Sequence, residues 1–314
     1  MPEGDTIHRV ASALRIALVG KPIVSFEAPR LFGPQPAQGR VIERIESHGR
    51  HLEIVWDDGL TLHTHLRMSG AWHLYRIGEG WRKPVSDLRV LIEVSDWLAV
   101  CFNAPLVETY RHFDPYRHPG FGPLGPDLCA AGADLDECIN RLYHHHDQSM
   151  PIAEVLLDQH VMCGVGNVYR CEVLWACEMH PFAPIGSIDA DDCGQLVMTA
   201  VRLLHANLSV HPDADLGTRR TFDSGFGPNG LAVYGRNGQR CRRCGDTIEV
   251  RRSGEHARLL YWCPGCQTNR APMRAGSTDL QVADDDEATR PMDPHPAAQK
   301  YLAGLPWRRD GLTG

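Results

Sequence analysis

Two groups of residues in this 314-residue chain have types and spacings suited to chemistry. The chain opens Met1-Pro2-Glu3-Gly4-Asp5-Thr6. Proline in second place favours removal of Met1, and that would leave a secondary amine beside a carboxylate. A free amine next to an acid attacks an aldehyde-like carbon and forms a Schiff base, a covalent route that divides one difficult step into easier ones. Proline and an acid are also ordinary residues at the opening of a helix, so the hexapeptide alone supports both readings. The second group is Cys241-Arg-Arg-Cys244 and Cys263-Pro-Gly-Cys266, separated by eighteen residues. Four thiolates at that spacing suit one tetrahedral zinc ion, closed to other ligands and therefore structural.

The elements that must position these groups can be read from periodicity. Ile7, Val10, Ala11, Leu14, Ala17 and Leu18 recur at helical spacing and Gly20 ends the run, which predicts an amphipathic helix over 6–19. Pro2 and Glu3 stand at its N-terminus, where the helix dipole disfavours added positive charge and so favours a neutral, nucleophilic amine. Alternating runs at 40–45, 51–56, 61–66, 88–94 and 98–102 predict an antiparallel β-sandwich or barrel, and the Gly- and Pro-rich 120–127 stretch ends it. From 134 to 208 the period becomes helical: Ile152, Val155, Leu156 and Gln159 precede Gly164-Val165-Gly166-Asn167, and Val168, Cys171, Leu174 and Trp175 follow it. Strands are expected at 247–252 and 258–262, forming a hairpin that the metal would hold rigid. The expected organisation is a sandwich over 1–123, a hinge over 124–133, a helical domain over 134–232, a finger over 233–267 and a disordered tail over 268–314.

The net charge of −7 hides a gradient, because residues 219–267 carry nine Arg against four acids. A polyanion should meet that segment rather than the acidic body. Cys101, Cys129, Cys138, Cys163, Cys171, Cys177 and Cys193 lie among apolar neighbours and read as reduced core thiols. With no signal pattern and no long apolar run, a cytoplasmic protein without a membrane partner is expected. The Gly164–Asn167 turn reads either as a helix cap or as a phosphate nest. In His63-Thr64-His65-Leu66-Arg67-Met68-Ser69-Gly70, Met68 is either core filler or a wedge for a base stack. His144, His145 and His146 read as a solvated helix end.

In order along residues 1–267, the opening Pro-Glu-Gly, the His65-Leu-Arg-Met-Ser-Gly70 turn, Leu124-Gly-Pro-Asp-Leu128, Leu156-Leu-Asp-Gln159 with Gly164-Val-Gly-Asn-Val-Tyr169, Val233-Tyr-Gly-Arg236 and Tyr261-Trp-Cys-Pro-Gly-Cys-Gln267 resemble the formamidopyrimidine-DNA glycosylase and endonuclease VIII family of base-excision repair. The resemblance implies an α+β fold: an N-terminal helix with an antiparallel β-sandwich, then a helical domain carrying a helix-two-turn-helix and a four-cysteine zinc-finger β-hairpin. It implies damaged double-stranded DNA as partner to a monomer, one structural zinc, and a bifunctional glycosylase and lyase. Pro2 would attack the sugar C1′ and expel the base, and Glu3 would open the ring through O4′. β,δ-Elimination would then cut the strand. Asn167 and Arg258 would hold the phosphates flanking a flipped nucleotide, with Arg50, His65 and Met68 also facing DNA. The tail reads as a solvated linker, with recruitment of a repair partner as the other possibility.

Three departures from the family pattern qualify the resemblance. Asp5-Thr6 replaces a Pro-Glu pair, so one carboxylate is lost and another appears. Arg50 stands where a hairpin lysine is usual, and arginine clamps phosphate but does not shuttle protons. Asn103-Ala-Pro-Leu106-Val-Glu108 replaces the loop that supplies an Arg and a Phe as void fillers, leaving Met68 alone. These departures favour oxidised pyrimidines or baseless sites over oxidised purines, although the His-Leu-Arg-Met-Ser-Gly turn leans the other way and the 218–231 loop has no legible motif. A non-catalytic damaged-DNA-binding protein on the same scaffold is the competing reading, and the retained Pro2 and Glu3 speak against it. A zinc hydrolase would need an open metal position that four cysteines do not leave.

Overall fold

The computed structural model describes residues 3–67, 69–111, 124–208 and 230–271. The expectations for Pro2, Met68, most of the 218–231 loop and the tail from residue 272 concern positions outside these.

Helix α1, Gly4–Leu18, follows Glu3, which holds the N-cap position with extended backbone, and Asp5 lies in its first turn. The apolar stripe found by periodicity is the buried face. Arg15 Nε donates to Ile45 O at 2.6 Å and ties the last turn to the neighbouring strand. Strands β1 (Ser25–Glu27), β2 (Ile42–His48), β3 (His51–Trp56), β4 (Thr61–His65), β5 (Ala71–Arg76), β6 (Leu88–Glu93), β7 (Trp97–Phe102) and β8 (Leu106–Tyr110) form two antiparallel sheets, ordered β1-β6-β7-β5 and β2-β3-β4-β8. One core contains α1 and inward residues of both sheets, including Ile45, Ile54, Trp56, Leu62, Ile92 and Val107.

The strand expected at 40–45 begins at Ile42 instead and runs to His48, because the 40–41 backbone is engaged with Pro22 and Ile23. Strands β5 and β8 gave no period-two signal. In β5, Trp72 packs into the main core while Tyr75 packs on the opposite side, so both faces are apolar. In β8, Glu108 and Thr109 are buried polar residues.

The second half has helices α2 (Leu135–Tyr143), α3 (Ile152–Val155), α4 (Asn167–Ala176) and α5 (Ala190–His205), followed by the antiparallel pair β9 (Glu249–Ser253) and β10 (Arg258–Trp262). Asp134 and Asp189 cap α2 and α5 by accepting from the Glu137 and Asp192 amides. Helices and hairpin share one core, which includes Leu174, Leu196, Ile248, Leu260 and Cys263. Every residue of α4 is buried. Helix α3 is a single turn that ends well before Gly164, so the glycine turn does not cap it. Residues 159–163 instead pair with the 125–128 segment, through Gly125 N to Gln159 O, Cys163 N to Pro126 O and Leu128 N to Cys163 O.

The seven scattered cysteines are buried and unpaired, and burial pushes thiols such as Cys171 and Cys177 up to about 12. His144 caps the C-terminus of α2 and, like His146, is exposed as expected of a solvated helix end, but His145 is buried beside it. Among the described residues, no helix is long and apolar enough to cross a membrane.

Candidate active site and nucleic-acid interface

Glu3 reaches its seat because glycines clear the way. Gly4 N donates to Gly164 O at 3.0 Å, and a Cβ on Gly4 would lie 2.5 Å from Gly164 Cα. The Glu3 side chain, 1% exposed, crosses Gly166 so closely that a Cβ there would lie 2.3 Å from Glu3 Cγ. Its carboxylate then meets the open end of α4: Oε1 accepts from Val168 N at 2.8 Å and Oε2 from Tyr169 N at 3.3 Å. Free amides at a helix start are natural partners for an anion. The two amides just after the glycine turn, those of Val168 and Tyr169, thus hold a carboxylate of the same chain. Asp5, the unusual carboxylate, is buried and pairs with buried Arg9 at 3.3 Å within α1.

Asn167, 5% exposed, joins α4 to the hairpin through Nδ2, which donates to Leu259 O at 2.9 Å. Its side-chain amide also hydrogen-bonds the Tyr234 hydroxyl. The neighbouring Arg258 opens β10, and its Nε is buried without a partner among the described residues. Arg50 is the second residue of the Gly49-Arg50 turn between β2 and β3. Burial, and after it the facing charge of Arg258, pulls the Arg50 guanidinium below its ordinary pKa, while Glu3 opposes the shift. Two guanidinium groups thus repel each other beside one buried carboxylate. A phosphate between them would relieve that repulsion, and guanidinium forks match its oxygens. Arg258→Ala is accordingly expected to weaken DNA binding and to lower the slope of log K against log salt by about one. Binding titrations across a salt series check this, and an unchanged slope would remove Arg258 from the phosphate contacts.

His65 lies on the same side, and burial, with the charges of His63, Arg67 and Arg50, holds its pKa down to about 4. Its ring stacks on His51 at 4.2 Å. His51 in turn is tied inward, because Glu108 Oε1 is 2.7 Å from His63 Nδ1 and His63 Nε2 is 2.9 Å from His51 Nδ1. A carboxylate acceptor at the inner end fixes the tautomers, so Nδ1–H of each histidine donates inward. Glu3, Arg50, His65, Asn167 and Arg258 therefore form one neighbourhood.

The four cysteines form a separate cluster whose sulfur atoms all lie within 4.8 Å of one another. Cys241 and Cys266 sulfurs are 3.7 Å apart, and those of Cys244 and Cys263 are 3.4 Å apart. A tetrahedral ion with ~2.3 Å bonds to sulfur sets its ligands ~3.8 Å apart, so the donor set fits one. The hairpin is also fastened by side chains. Arg243 sits 3.7 Å over the Trp175 ring and pairs with Glu178 at 3.0 Å, and Ser253 Oγ donates to Glu154 at 2.6 Å.

Two residues that organise the site gave no sequence signal of their own, although Asp127 lies inside the Leu124–Leu128 motif and Glu172 just beyond the one ending at Tyr169. Glu172, fully buried, accepts from the amides of Ala232, Val233 and Tyr234. Asp127 accepts from Gly49 N at 2.8 Å and Cys129 N at 2.9 Å.

Comparison with known proteins agrees with this architecture. Residues 1–106 match the formamidopyrimidine-DNA glycosylase N-terminal domain and residues 124–215 the formamidopyrimidine-DNA glycosylase H2TH domain. The probable endonuclease 8 2 of Streptomyces coelicolor is 34% identical over 286 residues, covering 90% of this chain and 99% of its own length. A DNA-(apurinic or apyrimidinic site) lyase of Mycolicibacterium smegmatis is 36% identical over 270 residues, covering 85% of this chain and 99% of its own length. Endonuclease 8 of Salmonella agona is 32% identical over 274 residues, covering 85% and 100%. In fold, the chain is similar to a Lactococcus lactis enzyme of the formamidopyrimidine type, crystallised with DNA containing an N7-benzyl formamidopyrimidine lesion. The TM-score is 0.70, with 23% identity and coverage of 85% of this chain and 100% of that one. This chain belongs to the formamidopyrimidine-DNA glycosylase and endonuclease VIII family, the DNA glycosylases and baseless-site lyases of base-excision repair.

Proposed function

We propose that the protein acts on oxidised bases, pyrimidines before purines, and on baseless sites in duplex DNA, with the Pro2 amine as Schiff-base nucleophile. The observation that carries this reading is the Glu3 carboxylate, seated at the start of α4 beside two facing guanidinium groups. Residue 3 lies one position from the amine, so an acid and a nucleophile enter the same place together. In this reading Glu3 relays the proton lost by the Pro2 amine to O4′ as the sugar ring opens. The iminium so formed draws in the electron pair left when C2′ loses its proton, which departs with the 3′ phosphate, and a second proton loss at C4′ expels the 5′ phosphate. Arg50, Asn167 and Arg258 hold the flanking phosphates. The lyase name of the Mycolicibacterium smegmatis relative supports the baseless-site part of this reading. Met68 is assigned to the gap left by the flipped nucleotide, whose extrusion costs a few kcal/mol.

The ion at Cys241, Cys244, Cys263 and Cys266 is assigned as zinc in a structural role, since four thiolates leave no position for substrate. Its chemistry is confined to holding the hairpin that presents Arg258. The partner is damaged double-stranded DNA, met by a monomer.

Borohydride trapping tests the reading. The untagged chain is incubated with a duplex containing one baseless site. The expected result is a covalent protein–DNA complex and a strand cut on both sides of the site. A chain with extra residues ahead of Pro2 should bind the same duplex and give neither. Intact binding by the untagged chain without a covalent complex would overturn the Schiff-base route.

A further inference from the structure

We propose that Asp127 is a positioning residue, a latch between the two domains that holds the Arg50 hairpin against the seat of Glu3. The proposal rests on the reading that Arg50 acts at the site. Asp127 is 7% exposed and belongs to the segment that pairs with residues 159–163, so its backbone is fixed to the helical domain. One carboxylate oxygen stays at home and accepts from Cys129 N at 2.9 Å. The other crosses to the sandwich and accepts from Gly49 N at 2.8 Å.

Gly49 forms the tip of the β2–β3 turn with φ +56. It packs so closely that a Cβ would lie 3.1 Å from Gln159 Oε1 and 3.2 Å from Cys163 Sγ. The following residue is Arg50, which faces Arg258 and Glu3. Three separate pieces of chain thus dock on residues 163–169 and on the Asp127 segment paired with Cys163. The N-terminal segment docks through Gly4 to Gly164 O and through Glu3 to the Val168 amide, and the finger docks through Leu259 O to Asn167. The hairpin comes third, and among the described residues its hydrogen bond across the domain boundary is the one to Asp127. The other neighbours at its tip, Gln159 and Cys163, meet Gly49 through side-chain packing.

The latch has a consequence for the reaction. The like charges of Arg50 and Arg258 disfavour holding the hairpin close to the finger, and the buried Asp127 acceptor opposes that tendency. Without it the hairpin withdraws Arg50, while Glu3 keeps its own bonds to α4. Base removal, which needs the intact nucleotide gripped on both sides, then suffers more than cleavage at a site already lacking its base.

The experiment uses the full chain with Asp127→Ala, Asp127→Asn, Arg50→Ala and the double variant Arg50→Ala/Asp127→Ala, each checked for thermal melting and metal content. Amide hydrogen exchange at Gly49 is read first. Slow exchange in the wild type, fast exchange in Asp127→Ala and an intermediate rate in Asp127→Asn, which keeps one acceptor oxygen, support the latch. Slow exchange in Asp127→Ala overturns it. Single-turnover rates follow on a duplex with an oxidised pyrimidine and on one with a baseless site. Asp127→Ala should lose at least tenfold more of the first rate than of the second, and Arg50→Ala should show the same split. The double variant should lose no more than either. Parallel loss on both duplexes, or losses that multiply, would overturn the positioning role. A wild type that cleaves baseless DNA without removing the base would end the glycosylase reading, and the Gly49 exchange result would still decide the latch.

Discussion

Gly166→Ala is expected to slow strand cleavage at a baseless site by ~10²–10⁴, the range for losing a positioned acid or base, while leaving most of the DNA affinity. The added methyl would stand 2.3 Å from Glu3 Cγ and 2.4 Å from Cδ, separations that force something to move. Glu3 has little room to yield, because Val168 N and Tyr169 N hold its carboxylate and Gly4 N is tied to Gly164 O. Either the carboxylate leaves the helix end or the first turn of α4 shifts away from it. Both separate the acid from the sugar oxygen without touching Arg50 or Arg258. Gly80→Ala is the control, since a Cβ there meets nothing within 4 Å. Single-turnover cleavage and borohydride trapping check the outcome, and a wild-type rate in Gly166→Ala would remove Glu3 from the role of acid.

Cys244→Ser is the second large effect, expected to empty the metal site and to lower DNA affinity by about 10²-fold, near the ~3 kcal/mol of a strong charge-assisted hydrogen bond. Structural ions of this kind stabilise their folds by ~10–16 kcal/mol in apparent terms, and a two-stranded hairpin is marginal alone. The loss should still stop short of full detachment. Arg243 on Trp175, Ser253 on Glu154, the Tyr261 amide on Cys171 Sγ and Gln267 Nε2 on Met179 O all fasten the hairpin to the helices. The hairpin would thus stay near while Arg258 loses its aim. Metal content and a binding titration on the same preparation test this. Full affinity in metal-free protein would mean that the side-chain fastenings suffice.

The parts of this molecule legible in sequence were those with local rules. Helix α1 showed its stripe, the cysteine pairs showed their spacing, and the glycine turn announced an exception without saying what it was for. Register and long-range contact were not legible. His51, His63 and Glu108 lie on three strands and become one chain only once β3, β4 and β8 are paired. Asp127 could be quoted as part of a motif, but its partner Gly49 lies 78 positions away. Strand β5 was hidden because Trp72 and Tyr75 serve different cores. The role of Gly166 was hidden because the atom that excludes a side chain belongs to residue 3.

The bond between Glu3 and the start of α4 spans 165 positions in the chain. Such a closure is among the slower events of folding, because the loop entropy is lost before the contact forms. During synthesis the amino end emerges first, and its acid has no seat until the helical domain has been made and folded. On the proposed reading the chain carries its nucleophile from the start, and Glu3 gains its seat only once the helical domain has folded. A truncated product ending within the sandwich would lack the Val168 and Tyr169 amides that seat Glu3.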